Sequence, residues 1–250
     1  MILVPNLYGL MVGLGIVVGA SVAERLRQWI MDNGEWKMSG KVGVWDVLLW
    51  MIVPGIVGAR LYHVVDYWQE VYVGQWWLIP QVWTGGLGIY GALLGGMVGL
   101  WLFCKRHKQN FLQWLDVIAF GLPIGQAIGR WGNYFNQELY GKLTSLPWGI
   151  YIEPQHRLVG YEQYSYFHPA FLYESLWSLL TFGVLLVFAK RYGMRLKSGT
   201  FFTLYLLFYF LGRFFLEYIK IPDWTATMPN QLISGIIFLV SIGLLVRRAR

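Results

Sequence analysis

Apolar stretches of about 20 residues recur along the whole of this 250-residue chain, and nothing else limits its fold so tightly. A hydrocarbon core about 30 Å thick takes about 20 helical residues to cross. Inside it every backbone donor and acceptor must be satisfied within the protein, so such stretches become helices. We place seven spans, at 6–26, 42–65, 83–104, 112–129, 168–189, 200–218 and 231–246. The expected fold is an all-α integral membrane protein, one polytopic domain over 1–250, with 131–167 as a small extracytoplasmic head loop. Composition points the same way: 56% of residues are hydrophobic and 13% charged, against about 25% charged in soluble domains.

Charge placement predicts an orientation. Arg25, Arg27, Lys37 and Lys41 follow the first span, Lys105, Arg106 and Lys108 the third, and Lys190, Arg191, Arg195 and Lys197 the fifth. Arg247, Arg248 and Arg250 close the chain, while the opposite loops hold Lys142, Arg157 and Lys220. This asymmetry predicts an outer N-terminus and a cytoplasmic C-terminus. The formal charge of +7 is distributed in short clusters between apolar runs, which argues against a nucleic-acid partner. Trp68, Tyr72, Trp76 and Trp77 suit an aromatic belt at headgroup level. Residues 1–10 carry no basic n-region, so a cleaved signal peptide is not expected. The single Cys104 reads as a small buried thiol and excludes an internal disulfide. No repeat marks a solenoid or an inverted-repeat transporter.

Two glycine rows, Gly91–Gly95–Gly99 and Gly121–Gly125–Gly129, read first as helix-packing faces, because small residues at that spacing let backbones approach. Gly85-Gly86-Leu87-Gly88 is different: it loosens the third span near the membrane surface, where irregular backbone lines a cavity. Its bare amides could approach an anionic headgroup.

Ionisable groups inside spans are costly and mark function or buried pairing. Arg60, Arg130, Glu174, Arg213 and Glu217 all project to the outer half of the bilayer. Arg213 and Glu217 have the i,i+4 spacing of a buried ion pair, the structural alternative to a site. Arginine's planar fork suits phosphate. The densest polar stretch starts where the fourth span leaves the membrane, and its Arg, Asn, Gln and Glu alternate with Trp, Tyr and Phe. That mixture suits an interfacial pocket holding a polar headgroup above apolar tails.

This stretch, Gly129-Arg130-Trp131-Gly132-Asn133-Tyr134-Phe135-Asn136-Gln137-Glu138 closed by Gly141, resembles the signature of the prolipoprotein diacylglyceryl transferase family. Tyr8-Gly9-Leu10-Met11, His168-Pro169 with Leu172-Tyr173-Glu174, and Gly212-Arg213-Phe214-Phe215 with Glu217 resemble its other segments, in the same order. The resemblance implies seven transmembrane helices with an extracytoplasmic head, in a bacterial plasma membrane, with the active site facing the outer leaflet. It implies transfer of the diacylglyceryl group of phosphatidylglycerol to the lipobox cysteine of a preprolipoprotein signal peptide, releasing glycerol phosphate, without a cofactor. It gives functional weight to Tyr8, Arg130, Asn133, Asn136, Glu138, Gly141, Arg213 and Glu217. Two departures stand out. Tyr90 occupies the place of a histidine common in the family and often treated as catalytic, and Lys220 that of a common arginine.

The chemistry breaks a phospholipid carbon–oxygen bond, with the substrate cysteine as nucleophile. The chain therefore needs no serine, metal or nucleotide of its own. It must stabilise negative charge on the leaving phosphate, which suits Arg130 and Arg213 with Arg60, Gly85 and Gly86 as further binding residues. It must also favour the thiolate, since a free thiol has a pKa of about 8.5. Glu138, Glu217 or Tyr90 would relay or orient the proton, with Tyr90 as a hydrogen-bond donor because a phenol pKa near 10 makes a poor base. His168 reads either as a base or as the start of the fifth span, where proline is favoured in the first turn. The rival readings are another phospholipid-modifying enzyme and, further off, an anion transporter, which predicts a polar path to both faces.

Overall fold

The computed structural model describes residues 7–33, 38, 41–193, 196–221 and 227–249. Residue 6, with Lys37, Arg195 and Arg250 of the basic clusters, lies outside the described residues. Among the described residues there are seven α-helices: α1 (Leu7–Asp32), α2 (Val44–Asp66), α3 (Ile89–His107), α4 (Phe111–Phe135), α5 (Ala170–Tyr192), α6 (Thr200–Leu216) and α7 (Thr227–Ala249). A short antiparallel pair, β1 (Ile150–Tyr151) and β2 (Tyr166–Phe167), is the described sheet. The protein is an all-α membrane protein in architecture: five helices, α1, α2, α4, α5 and the 230–248 part of α7, are long and apolar enough to cross a bilayer. The other two expected spans fall on α3, which ends in Lys105, Arg106 and His107, and on α6, which is shorter at 17 residues.

The chain forms two compact units, one made of Met1–Trp36 with Leu115–Arg250 and the other of Lys37–Trp114. In the second, α2 and α3 pack along the first glycine row. A Cβ added at Gly91, Gly95 or Gly99 would collide with the carbonyl oxygens of Gly58, Pro54 and Trp50 respectively. The helices therefore touch backbone to backbone, the arrangement that small residues permit where lipid supplies no hydrophobic drive between helices. In the larger unit α1 meets α4 in the same way. A Cβ at Gly15 or Gly19 would lie 2.7 Å from the carbonyl oxygen of Gly125 or Gly121. Gly129, the third member of that row, faces open space.

Helix boundaries depart from the apolar pattern at several ends, α1 running on to Asp32 and α7 covering Thr227–Ala249, and two departures bear on the site. The third span was expected from residue 83, but α3 starts at Ile89 because Gly85 and Gly86 have φ of 90° and 68°. Those left-handed values interrupt a helix and suit glycine. The fourth span was expected to end at 129, yet α4 continues to Phe135, so the segment 131–167 begins in helix. Beyond it Tyr140, Ile152, Phe167 and Ile221 form a small buried core. Tyr140 is knitted into it through its hydroxyl, which donates to the His156 carbonyl at 3.0 Å and accepts the Leu158 amide at 2.8 Å. Burial raises the Tyr140 pKa above its usual value, so it stays a neutral structural phenol.

Candidate functional site

In the larger unit the ionisable residues of α4, α5 and α6 converge on one carboxylate. Glu174 of α5 is 7% exposed at its side chain and meets Arg130 Nε at 2.6 Å through Oε2. Its Oε1 accepts from Arg213 Nη1 at 3.2 Å and Lys220 Nζ at 2.8 Å. Arg213 turns Nη2 to Glu217 Oε2 at 3.3 Å, so the i,i+4 pair is made, and Asn230 Nδ2 of α7 donates to Glu217 Oε1 at 3.1 Å. The cluster thus contains three cations and two carboxylates. Burying a lone charge costs several kcal/mol, so a carboxylate at this depth is stable only with such partners.

The arginines are the open side of the cluster. Their side chains are 26% and 21% exposed, against 1% for Glu217 and 3% for Lys220. Arg130 and Arg213 both line a narrow cleft of about 20 Å³, walled by Glu174, Gln126, Trp177, Ser178 and Tyr209 among others. An anion at its mouth would meet two guanidinium groups, with the Glu174 carboxylate behind them.

Lys220 reaches Glu174 because the backbone brings it there. Gly141 and Lys220 form an isolated antiparallel bridge, and the Lys142 amide donates to the Ile219 carbonyl at 2.8 Å. Gly141 is buried, and a Cβ on it would lie 2.8 Å from His168 Cβ and 3.0 Å from the Ile219 carbonyl oxygen. Only glycine lets these two segments close. Lys220 is therefore a buried member of the charge cluster and not a surface loop cation. Burial pushes its ammonium below the usual lysine pKa, against the opposing pull of Glu174.

The signature turn leads into this bridge. Asn133 Nδ2 donates to Glu138 Oε1 at 2.9 Å, and the Glu138 amide returns to the Asn133 carbonyl at 3.0 Å. Gln137 and Leu139 take positive φ, at 50° and 53°, so the turn is tightly constrained. Asn136 is exposed, and Tyr8 of α1 packs over Gly132, where a Cβ would lie 2.8 Å from its ring. His168 marks the start of α5, its amide and carbonyl bonded to the 141–142 segment, and its Nδ1 lies 3.0 Å from the Tyr173 hydroxyl.

The remaining expected residues belong to the smaller unit. Arg60, expected as a substrate-binding cation, is 6% exposed and engaged with its own loop. Nε donates to the Ile79 carbonyl at 2.8 Å, Nη1 to the carbonyls of Gly85 at 2.7 Å and Gly86 at 3.2 Å, and Nη2 to that of Leu78 at 2.5 Å. It laces the 78–86 loop to α2, so the geometry gives it a structural part. Gly85 and Gly86 accordingly offer carbonyls to Arg60, and the Gly85 amide faces the Val82 carbonyl at 3.4 Å. Tyr90 is 58% exposed and lies against Tyr62, with ring centroids 5.7 Å apart. It lines a groove with Asp66, Tyr67, Gly88 and His63, whose Nδ1 is 3.0 Å from the Tyr72 hydroxyl. Sequence reasoning passed over His63, although a histidine within an apolar span was a signal.

A family model described as prolipoprotein diacylglyceryl transferase matches residues 3–247. A phosphatidylglycerol–prolipoprotein diacylglyceryl transferase of Gloeobacter violaceus is 40% identical over 216 residues, 86% of this chain and 77% of the relative. One from Streptomyces coelicolor is 40% identical over 92% of this chain and 73% of its own length. Another, from Acaryochloris marina, is 36% identical over 95% and 82% respectively. With the family pattern matched from residue 3 to residue 247 and four in ten residues shared with such enzymes, the chain belongs to the prolipoprotein diacylglyceryl transferase family.

Proposed function

We propose that this chain transfers the sn-1,2-diacylglyceryl group of phosphatidylglycerol to the lipobox cysteine thiol of preprolipoproteins, the first step of bacterial lipoprotein maturation. Family membership supports the reaction, and one observation carries the mechanism: two arginines from different helices are held by one buried carboxylate and line one cleft. In the reaction the thiol passes its proton to Glu138 or to water, its sulfur bonds to the glyceryl carbon, and the carbon–oxygen bond to phosphate breaks, with the electron pair leaving on glycerol phosphate. Arg130 and Arg213 stabilise that departing charge, as preorganised donors do in a site of low dielectric. The same positive potential favours the thiolate over the thiol. Asn133 and Glu138 shape the turn above the arginines, and Tyr8 covers it. Glu217 orients Arg213, and Tyr90 acts as a hydrogen-bond donor. Asn136, exposed on the turn, contacts the substrate, and Gly141 serves the substrate site by letting the bridge to Lys220 close.

The cation clusters support an orientation with seven spans, the N-terminus outside and the C-terminus in the cytoplasm. Lys105–Arg106, Lys190–Arg191 and Arg247–Arg248 all lie in the last turns of their helices. The active site then faces the outer leaflet of the plasma membrane, with 131–167 as the extracytoplasmic head of a single polytopic domain. The test is incubation of purified protein with phosphatidylglycerol vesicles and a lipobox peptide, followed by mass spectrometry. A diacylglyceryl mass gain on the cysteine is the expected result. An unmodified peptide with intact phosphatidylglycerol would refute the reading and favour another phospholipid chemistry.

A further inference from the structure

We propose that Glu174 is a positioning residue of this reaction, holding Arg130 and Arg213 in the conformation that receives the leaving phosphate. The inference rests on the function proposed above but assigns a part to a residue outside the arginine pair and the signature turn. Arg130 is gripped by its inner nitrogen, Nε, at 2.6 Å. Among the described residues its two terminal nitrogens meet no protein acceptor, so they remain for a ligand. Arg213 is held at both ends, Nη1 on Glu174 and Nη2 on Glu217. The two oxygens of one carboxylate therefore anchor guanidinium groups from α4 and α6, and a third contact ties Lys220 to the same carboxylate.

A negative charge beside an anion site weakens ground-state attraction to the anion. Its presence here makes sense if it serves geometry instead. Without it, three cations would repel one another, the Arg130 plane would be free to rotate, and Arg213 would keep Glu217 as its one carboxylate among the described residues. Removing it should thus leave headgroup binding intact or tighter and slow the chemical step, since donors must be aimed where charge develops. A residue needed only for folding would not split the two quantities in that direction.

The experiment compares wild type with Glu174→Gln and with Glu174→Gln/Lys220→Met, using phosphatidylglycerol vesicles and a lipobox peptide. Absence of transfer by wild type would defeat the proposed function itself, separately from this inference. Given wild-type transfer, the expected result for Glu174→Gln is a kcat lower by on the order of tenfold to a hundredfold, with KM for phosphatidylglycerol unchanged or lower. Unchanged kcat, or a raised KM at normal kcat, would overturn the proposal. The double variant removes the carboxylate charge together with one cation, so it also serves if the single variant fails to insert. Its kcat should stay low; recovery to the wild-type value would show that Glu174 merely neutralises Lys220, and would overturn the positioning role.

Discussion

Replacing Arg130 by lysine separates charge from geometry at the centre of the proposed site. A lysine ammonium reaches about as far as the central carbon of a guanidinium, so it can keep the ion pair with Glu174, now 2.6 Å long. What it loses is the pair of terminal nitrogens beyond that contact, the ones free to grip phosphate. A hydrogen bond to a charged group contributes about 1.5–3 kcal/mol. Arg130 is partly exposed, so the lower half of that range is the fairer figure for a single lost bond. Loss of both prongs then amounts to about 3–4.5 kcal/mol, or roughly 150-fold to 2000-fold in kcat/KM at about 1.36 kcal/mol per tenfold. The assay is diacylglyceryl transfer in vesicles, alongside membrane insertion and thermal unfolding, both of which should stay near wild type. Turnover within about threefold of wild type, a difference of under 1 kcal/mol, would remove bidentate recognition from the mechanism.

Tyr90→Phe should retain measurable activity, lower by on the order of tenfold to a hundredfold, with unchanged limbs in its pH–rate profile. Complete loss with disappearance of the basic limb would make the phenol the proton carrier. Because burial lowers the Lys220 pKa from the usual 10.5, its pair with Glu174 is lost as pH rises through that lowered value. Activity should therefore fall in the window beneath 10.5, and Lys220→Arg should move that fall to higher pH. Between the folded value and 10.5 the unfolded chain holds the proton that the folded one has shed, so stability should rise there even as activity declines; a fall in both would contradict the assignment. Gly91→Ala, forced against the Gly58 backbone, should cost about 1–3 kcal/mol by thermal unfolding, whereas Gly13→Ala, with nothing within 4 Å, should be neutral or stabilising. Single cysteines at Gly74 and Ser145 should label from outside, and at Gln109 and Ser198 only after permeabilisation; labelling of Gly74 and Gln109 from the same side would contradict the path of the third span.

The division between what was legible and what was not follows the range of the forces involved. Apolar length predicts helices because a bilayer leaves the backbone few other ways to satisfy its hydrogen bonds, and each expected span overlaps a helix, five of these being long and apolar enough to cross a membrane. The glycine rows were readable for a similar reason: spacing four apart defines a face, and the collisions found at Gly91, Gly95 and Gly99 use that face. The interruption at Gly85–Gly88 was readable because glycine clusters tolerate left-handed backbone, though the start of α3 moved to Ile89.

The sequence by itself therefore determined a helical membrane protein, the family pattern, and a set of charges that must find partners within the apolar runs. Which partners they find was decided by tertiary structure alone. Arg60 and Arg130 look alike as lone arginines within or at the end of apolar runs, yet one is spent on loop carbonyls and the other opens onto a cleft. Glu174 appeared as one carboxylate in the fifth span and proves to hold three cations from segments far apart in the chain. The reason is physical: desolvation makes a buried charge demand a partner, but it acts equally on every position, and only the folded backbone brings a particular donor within 3 Å of a particular oxygen.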